Sequence, residues 1–269
     1  MASIREKVWK SKAANFARGL VNQVKRNDKT VMFHTGRCGS TVMANILRQH
    51  PDMHWGGEIF NPYFKQRINR PDLLERVIQE SEQKTVTPHF GFDVKYLPVQ
   101  HLHEVCINRS VPQFIEDLKK LGFNHFILLH RKNYLRRAIS AHVAGSKSQW
   151  HSSSAVEGPT KVNLDPNKFH IGMTAMPLLE VFQMMDKSYQ EVTEQLASEE
   201  MISITYEEDI LANPMKAYEK ISKFIGLSSH QPEVRLKRTN PFGYEEILTN
   251  FDQIREVLQG TEYAWMLED

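Results

Sequence analysis

Thr30-Val31-Met32-Phe33-His34-Thr35-Gly36-Arg37-Cys38-Gly39-Ser40-Thr41-Val42-Met43-Ala44-Asn45-Ile46-Leu47 is the stretch whose reading decides the fold. It opens as a short apolar, β-prone run, passes through a loop with two glycines, and ends in an apolar helical pattern. Strand, turn and helix are predicted. The succession returns at His125-Phe126-Ile127-Leu128-Leu129-His130, where Arg131-Lys132-Asn133 leads into a helical stretch from Tyr134 to Val143. Met201-Ile202-Ser203-Ile204-Thr205-Tyr206 reads as a third buried strand and Phe90-Gly91-Phe92-Asp93-Val94-Lys95 as a fourth. Strands alternating with helices predict an α/β fold: a P-loop-like, three-layer α/β/α domain with a central parallel sheet. Ligands are expected at the carboxyl ends of its strands.

The chain around these stretches has 269 residues, 41% hydrophobic and 25% charged, which suits one globular domain and argues against disorder or fibrous repeats. Folding a chain of this length removes about 75% of its surface from water, so neither disulfides nor a metal is needed to hold a core. The cysteines, Cys38 and Cys106, suggest no disulfide framework. With no leader pattern and no apolar run of about 18 residues, a soluble protein of a reducing compartment, the cytoplasm, is expected. A net charge of +2 is too small for a general nucleic-acid binder, so an anion site must come from local clustering.

Residues 30–269 are expected to form the single domain, preceded over residues 1–29 by a basic amphipathic helix. Ile4, Val8, Phe16, Leu20 and Val24 lie close to one face of it. That helix is expected to pack on its own domain, contact with an acidic membrane surface being the alternative. Residues 145–170, rich in Ser, Gly, Pro and Asn, are expected to be a substrate lid or else a surface insertion, with Trp150 favouring the lid.

Residues 36–41 lie between a buried strand and a helix start, where backbone N–H groups without helical partners converge. Gly36 and Gly39 let the backbone approach a phosphate, Ser40 and Thr41 add hydroxyls, and Arg37 brings a fixed positive fork. A phosphate cradle is predicted. It is neither a Walker A sequence, lacking the Lys-Ser/Thr pair after the second glycine, nor GxGxxG. A second basic cluster, Arg131, Lys132, Arg136 and Arg137, follows the strand at 125–130, with Ser140 on the ensuing helix. Two anion sites on adjacent strand ends would suit a ligand with separate phosphates, although helical spacing forbids every one of these cations from pointing inward.

Together, residues 36–41 and 131–140 resemble the two nucleotide-binding motifs of sulfotransferases that use 3′-phosphoadenosine 5′-phosphosulfate (PAPS). Gln49-His50-Pro51 with Gly57-Glu58-Ile59-Phe60-Asn61 is similar to the stretch after the first motif in bacterial and carbohydrate-type members. Ile204-Thr205-Tyr206-Glu207-Glu208, Arg238-Thr239-Asn240-Pro241 and Asn250-Phe251-Asp252 extend the resemblance to roughly residues 30–265. It implies that Gly36, Arg37, Cys38, Gly39, Ser40 and Thr41 bind the 5′-phosphosulfate end of PAPS. Arg131 and Ser140 would bind the 3′-phosphate, and Arg238 joins the donor site. Arg131 and Ser140 stand one position further apart than in cytosolic aryl and steroid members, which leaves Lys132 as the alternative to Arg131. Arg37 stands where many members have lysine and would neutralise the leaving phosphate.

Sulfuryl transfer to a hydroxyl needs a group to take the proton. By the resemblance Glu58 is the leading base, with Gly56-Gly57 letting the backbone come close to substrate, and His34 the reserve. Lys95 would face the transferred group; pairing with Asp93 is expected to be less favoured, from the alternation of side chains along the strand. Lys95, Glu58 and Trp150 are the expected substrate contacts. His101-Leu102-His103-Glu104-Val105-Cys106 matches neither HExxH nor CxxC, and no metal is expected. The acceptor is expected to be a sugar, glycolipid or polar hydroxylated small molecule, amines remaining open. A P-loop small-molecule kinase and an inactive nucleotide-binding or membrane-associated scaffold are the alternatives.

Overall fold

The computed structural model describes residues 28–84, 86–147, 158–236 and 241–268. The amino-terminal helix expected over 1–29 falls outside these residues except for Asp28 and Lys29, as do Trp150 and Arg238. Five strands form one parallel sheet: β1 (Asp28–His34), β2 (Met53–Trp55), β3 (His89–Lys95), β4 (His125–His130) and β7 (Met201–Thr205). Their order is β2-β3-β1-β4-β7, and a separate two-stranded hairpin pairs β5 (Phe169–Ile171) with β6 (Thr174–Met176). The fold is the α/β domain expected. β1 begins at Asp28, two residues before the predicted strand.

Alternation along the strands builds two cores. Val31 and Phe33 of β1, Phe90, Phe92 and Val94 of β3, and Phe126 and Leu128 of β4 face one side. There they meet α3 (Leu73–Glu82), α4 (Val111–Lys120), α5 (Tyr134–Lys147) and α6 (Leu178–Leu196). Met32, Ile127, Leu129 and Ile204 face the other, against α1 (Ser40–Leu47) and α7 (Pro214–Phe224). Helices therefore cover both faces of a sheet that is apolar on both. No helix among the described residues is long and apolar enough to cross a membrane.

From β1 the chain crosses to the β3 side, and from β4 to the β7 side. The connections after β1 and β4 thus diverge at the carboxyl ends of two adjacent strands, the place where an open α/β sheet leaves a crevice. The loops at 35–39 and 131–133 flank it.

Among the elements that escaped the sequence reading are these three. β2 has only three residues at the sheet edge, too short for periodicity to register. Residues 158–170, expected as irregular lid or insertion, are packed. Val162 bridges to Leu248, Asn250 both accepts from Leu164 N and donates to Leu164 O, and Val162, Leu164 and Phe169 are buried. Their apolar side chains are spaced too irregularly to show a face. The third is the short helix α2 (Asn61–Gln66), which follows the β2 connection.

Gly91 leaves room for the Trp55 ring against the sheet. It pairs with Trp55, and a Cβ built on it would lie 2.3 Å from Trp55 Cζ3 and 3.1 Å from Thr30 O. Gly91→Ala is expected to destabilise the fold by about 1–3 kcal/mol through overpacking, read as a lower urea midpoint at unchanged slope.

Candidate functional site

After β1 the backbone enters the left-handed region at Gly36 (φ 81°), Arg37 (φ 59°) and Gly39 (φ 92°) before α1 begins. Glycine is needed at 39, because a Cβ there would stand 3.0 Å from Ile210 and 3.2 Å from the Tyr206 ring. The loop is tied from beneath by its carbonyl oxygens. Arg137 donates from Nη2 to Thr35 O at 2.5 Å and from Nε to Thr35 Oγ1 at 3.3 Å. Gln100 Nε2 adds a bond to Thr35 O at 3.1 Å, and Arg131 Nη1 donates to Arg37 O at 2.9 Å. With those oxygens held by guanidinium groups, the first amides of α1 and the hydroxyls of Ser40 and Thr41 make the opposite side of the loop a donor surface. Burial, opposed by the neighbouring Cys38, pulls the Arg137 guanidinium down to about 10, so it stays a cation.

The two predicted motifs meet here. Arg37 Nε donates to Ser140 Oγ at 3.0 Å, and the Arg131 guanidinium lies 4.4 Å from the centre of the Tyr206 ring. Tyr206 opens a single π-helical turn (Tyr206–Ile210) after β7. Glu207 in that turn accepts from the backbone N–H groups of Lys132 and Asn133 and stands 4.0 Å from Arg131 Nε. Lys132 points outward to Glu208, so Arg131 is the cation of the two that sits against the loop. Arg136 also turns away, donating to Phe242 O and lying over Tyr244. Cys38 is fully buried and its thiol is pushed up by burial, so this residue offers the site only its backbone.

Beyond the loop a cavity of about 740 Å³ opens, lined by Gly36, Arg37, Ser40, Thr41, Glu58 and Lys95 among others. Its far wall is formed by the last turns of α5 and by residues 163–172, so described residues of the expected lid line the cavity, Lys168 and His170 among them. Phe64, Gln100 and Arg137 complete the inner end. Gln100 and His101 follow β3 in a stretch with no motif, and nothing in the sequence placed Gln100 on the cavity or His101 beside Glu58.

Glu58 is delivered by the connection after β2. Gly56 N donates to Gly91 O and Asp93 N donates to Gly57 O, which extends the pairing of β2 with β3 by two residues. Gly57 has φ 75°, and a Cβ there would meet Arg48 Nη2 at 2.2 Å. The glycines expected to let backbone approach substrate instead fit the chain between β3 and Arg48.

The Glu58 carboxylate is bracketed by donors. Lys95 Nζ is 2.6 Å from Oε2, His34 Nε2 is 3.9 Å from Oε1, and His101 Nε2 is 4.0 Å from Oε2. Each imidazole accepts a backbone N–H at Nδ1, from Gly36 for His34 and from Lys95 for His101, which leaves the proton on Nε2. Burial, with Lys95 beside both, holds His34 well below its ordinary value and His101 at about 3, so both are neutral. His34 is wholly buried and does not line the cavity; it stands behind Glu58.

Asp93 lies deeper. Residues 93 and 95 are two apart, so alternation puts them on the same face of β3, contrary to the expectation that it separates them. Lys95 nevertheless pairs with Glu58, while Asp93 accepts from Trp55 Nε1 at 2.5 Å and stands 3.8 Å from His34 Nε2. Ligand atoms of His34, Glu58 and Asp93 come within 4.8 Å of one another. Lys95 already pairs with Glu58 there, and burial, followed by Lys95 and Arg137, disfavours a charge on His34. In the 101–106 run, His103 accepts from Val105 N and the Cys106 thiol faces Phe60 O.

No family model and no curated protein matches the chain. A sulfotransferase from Alicyclobacillus acidocaldarius, solved by crystallography, is similar in structure with a TM-score of 0.51 at 12% identity, over 90% of this chain and 94% of that one. The likeness is one of fold.

Arg137→Ala would leave Thr35 O without its charged donor in a buried position. A loss of about 2–4 kcal/mol of unfolding free energy is expected, measured by chemical denaturation. An unchanged midpoint would mean the loop is held by other bonds.

Proposed function

We propose that the chain transfers a sulfuryl group from PAPS to a hydroxyl of a carbohydrate, glycolipid or other polar acceptor. The observation that carries this reading is the donor-surfaced loop at 36–41, opening on a cavity that also presents Arg37, Lys95 and the carboxylate of Glu58. The fold shared with a sulfotransferase supports it.

In this reading the loop amides with Ser40 and Thr41 hold the 5′-phosphosulfate end, and Arg131 with Ser140 selects the 3′-phosphate that distinguishes the donor from ATP. Arg131 can do so while stacked on Tyr206, since a guanidinium has five donors and only one of them is committed to Arg37 O by a bond given above. As the acceptor oxygen forms its bond to sulfur, the bond from sulfur to the bridging oxygen breaks and its electron pair stays on the departing phosphate. Arg37 neutralises that charge. The acceptor proton passes to Glu58, and Lys95, already at the cavity edge, balances charge on the sulfuryl oxygens. Exposed Lys168, His170, Asp165 and Asn163 on the outer wall offer hydrogen bonds and not a flat apolar slot, which suits a polyhydroxylated acceptor.

Arg131→Ala is expected to weaken binding of adenosine 3′,5′-bisphosphate by at least about tenfold in calorimetry; equal affinity would remove Arg131 from the donor site. Glu58→Gln should keep nucleotide affinity and lose turnover by about 10²–10⁴-fold. The assay is sulfuryl transfer from PAPS to a panel of hydroxylated acceptors, and retained turnover in the variant would place the base elsewhere.

A further inference from the structure

One buried donor in this site has two competing acceptors. His34 Nε2 carries a proton, is closed off from solvent, makes no hydrogen bond, and stands almost midway between Asp93 Oδ2 at 3.8 Å and Glu58 Oε1 at 3.9 Å. An unmade bond at a fully buried N–H is costly enough to call for a reason. Because Nδ1 is occupied by Gly36 N–H, the imidazole cannot pass a proton through the ring; it can only give its one N–H to one carboxyl or the other.

We propose that Asp93 is a positioning residue for Glu58: through the single N–H of His34, the protonation of Asp93 decides how readily Glu58 accepts a proton. With Asp93 ionised, the N–H goes to Asp93, and Glu58 keeps Lys95 while feeling a second negative charge nearby. With Asp93 protonated, the N–H goes to Glu58 and stabilises its charged form. The ionised state of Asp93 therefore makes Glu58 the stronger base. Asp93 does not line the cavity and can act only in this indirect way.

The surroundings of Asp93 are set by several elements. Trp55 on β2 donates to Oδ1, Glu58 faces it from the β2 connection, Arg48 lies just past α1, His34 ends β1, and Lys95 shares its strand. Burial, followed by the negative charge of Glu58, raises the Asp93 carboxyl to about 7, against the pull of Trp55, Arg48 and Lys95. A carboxyl raised in this way is protonated below neutrality and ionised above it, so the switch falls within the working range of an enzyme.

The inference rests on the proposed role of Glu58, and its test has an arm independent of turnover. Trp55 reports on Asp93 directly through its indole N–H. In the wild-type protein a pH titration of tryptophan fluorescence should show a transition near neutrality that is absent from Asp93→Asn and from Trp55→Phe. Glu58→Gln should move that midpoint down by about one unit, because a like charge is removed. A wild-type transition below pH 5, or a midpoint indifferent to Glu58→Gln, would overturn the coupling whether or not any sulfuryl transfer is found. In the transfer assay, kcat of the wild type should rise through the same pH interval. Asp93→Asn, which keeps an acceptor for Trp55, should flatten that rise and lower kcat at pH 8 about tenfold at unchanged affinity for adenosine 3′,5′-bisphosphate. An unaltered pH profile in Asp93→Asn would overturn the proposal, as would a fluorescence midpoint or kcat that changes on treatment with a chelator. If Asp93→Asn fails to fold, the wild-type and Glu58→Gln titrations still decide.

Discussion

Two guanidinium groups beneath one loop are the constraint on which the site depends. Arg137 and Arg131 come from the connection and helix after β4, yet they bind carbonyl oxygens of the loop after β1. Each bond removes an acceptor from the loop's surroundings and adds a positive charge under it. The left-handed backbone at Gly36, Arg37 and Gly39 is what turns those carbonyls downward. A donor-rich face thus results from where the oxygens are sent as much as from where the amides point. Gly39 belongs to the same arrangement, because Tyr206, which underlies Arg131, also fills the space where a Cβ at 39 would lie.

The adjoining cavity keeps an excess of positive charge, with Arg37, Lys95, Arg137 and Lys168 against Glu58 and Asp165. Glu58 meets Lys95, and the two imidazoles that flank it stay neutral because burial and the same lysine oppose a second positive charge. Lys95 thus has two effects, one on the carboxylate and one on the histidines. The Glu58 carboxylate thus stands among one ammonium and two nearby N–H groups. Asp93, a layer further in, shares with it the N–H of His34 and acts on it through space as a like charge.

Much of this was legible in the chain itself. The strand at 30–34, the glycine-bearing turn and the helix after it carry their own signals, and so do the strands at 90–95, 125–130 and 201–206. Apolar runs buried on both faces, alternating with helices, leave few other architectures. The loop residues that line the cavity, with Glu58 and Lys95, were also candidates before any coordinates. Arg137 was visible as part of a basic run, but helical spacing alone could not say which of Arg131, Lys132, Arg136 and Arg137 turns inward. That choice was made by Glu208, which draws the Lys132 side chain outward, and by Phe242 and Tyr244, which hold Arg136; all three come from distant parts of the chain.

By itself the sequence determined the strand and helix succession, the place of the glycine loop and the residue types at the cavity, because each depends on neighbours within a few positions. Only tertiary structure decided that Arg131 and Arg137 hold the loop, that residues 158–170 pack as a wall, and that His101 and Asp93 join Glu58. Those relations depend on sheet order and register: pairing His34 with Lys95 across β1 and β3, and Trp55 with Gly91 across β2 and β3, brings together groups that local periodicity cannot connect.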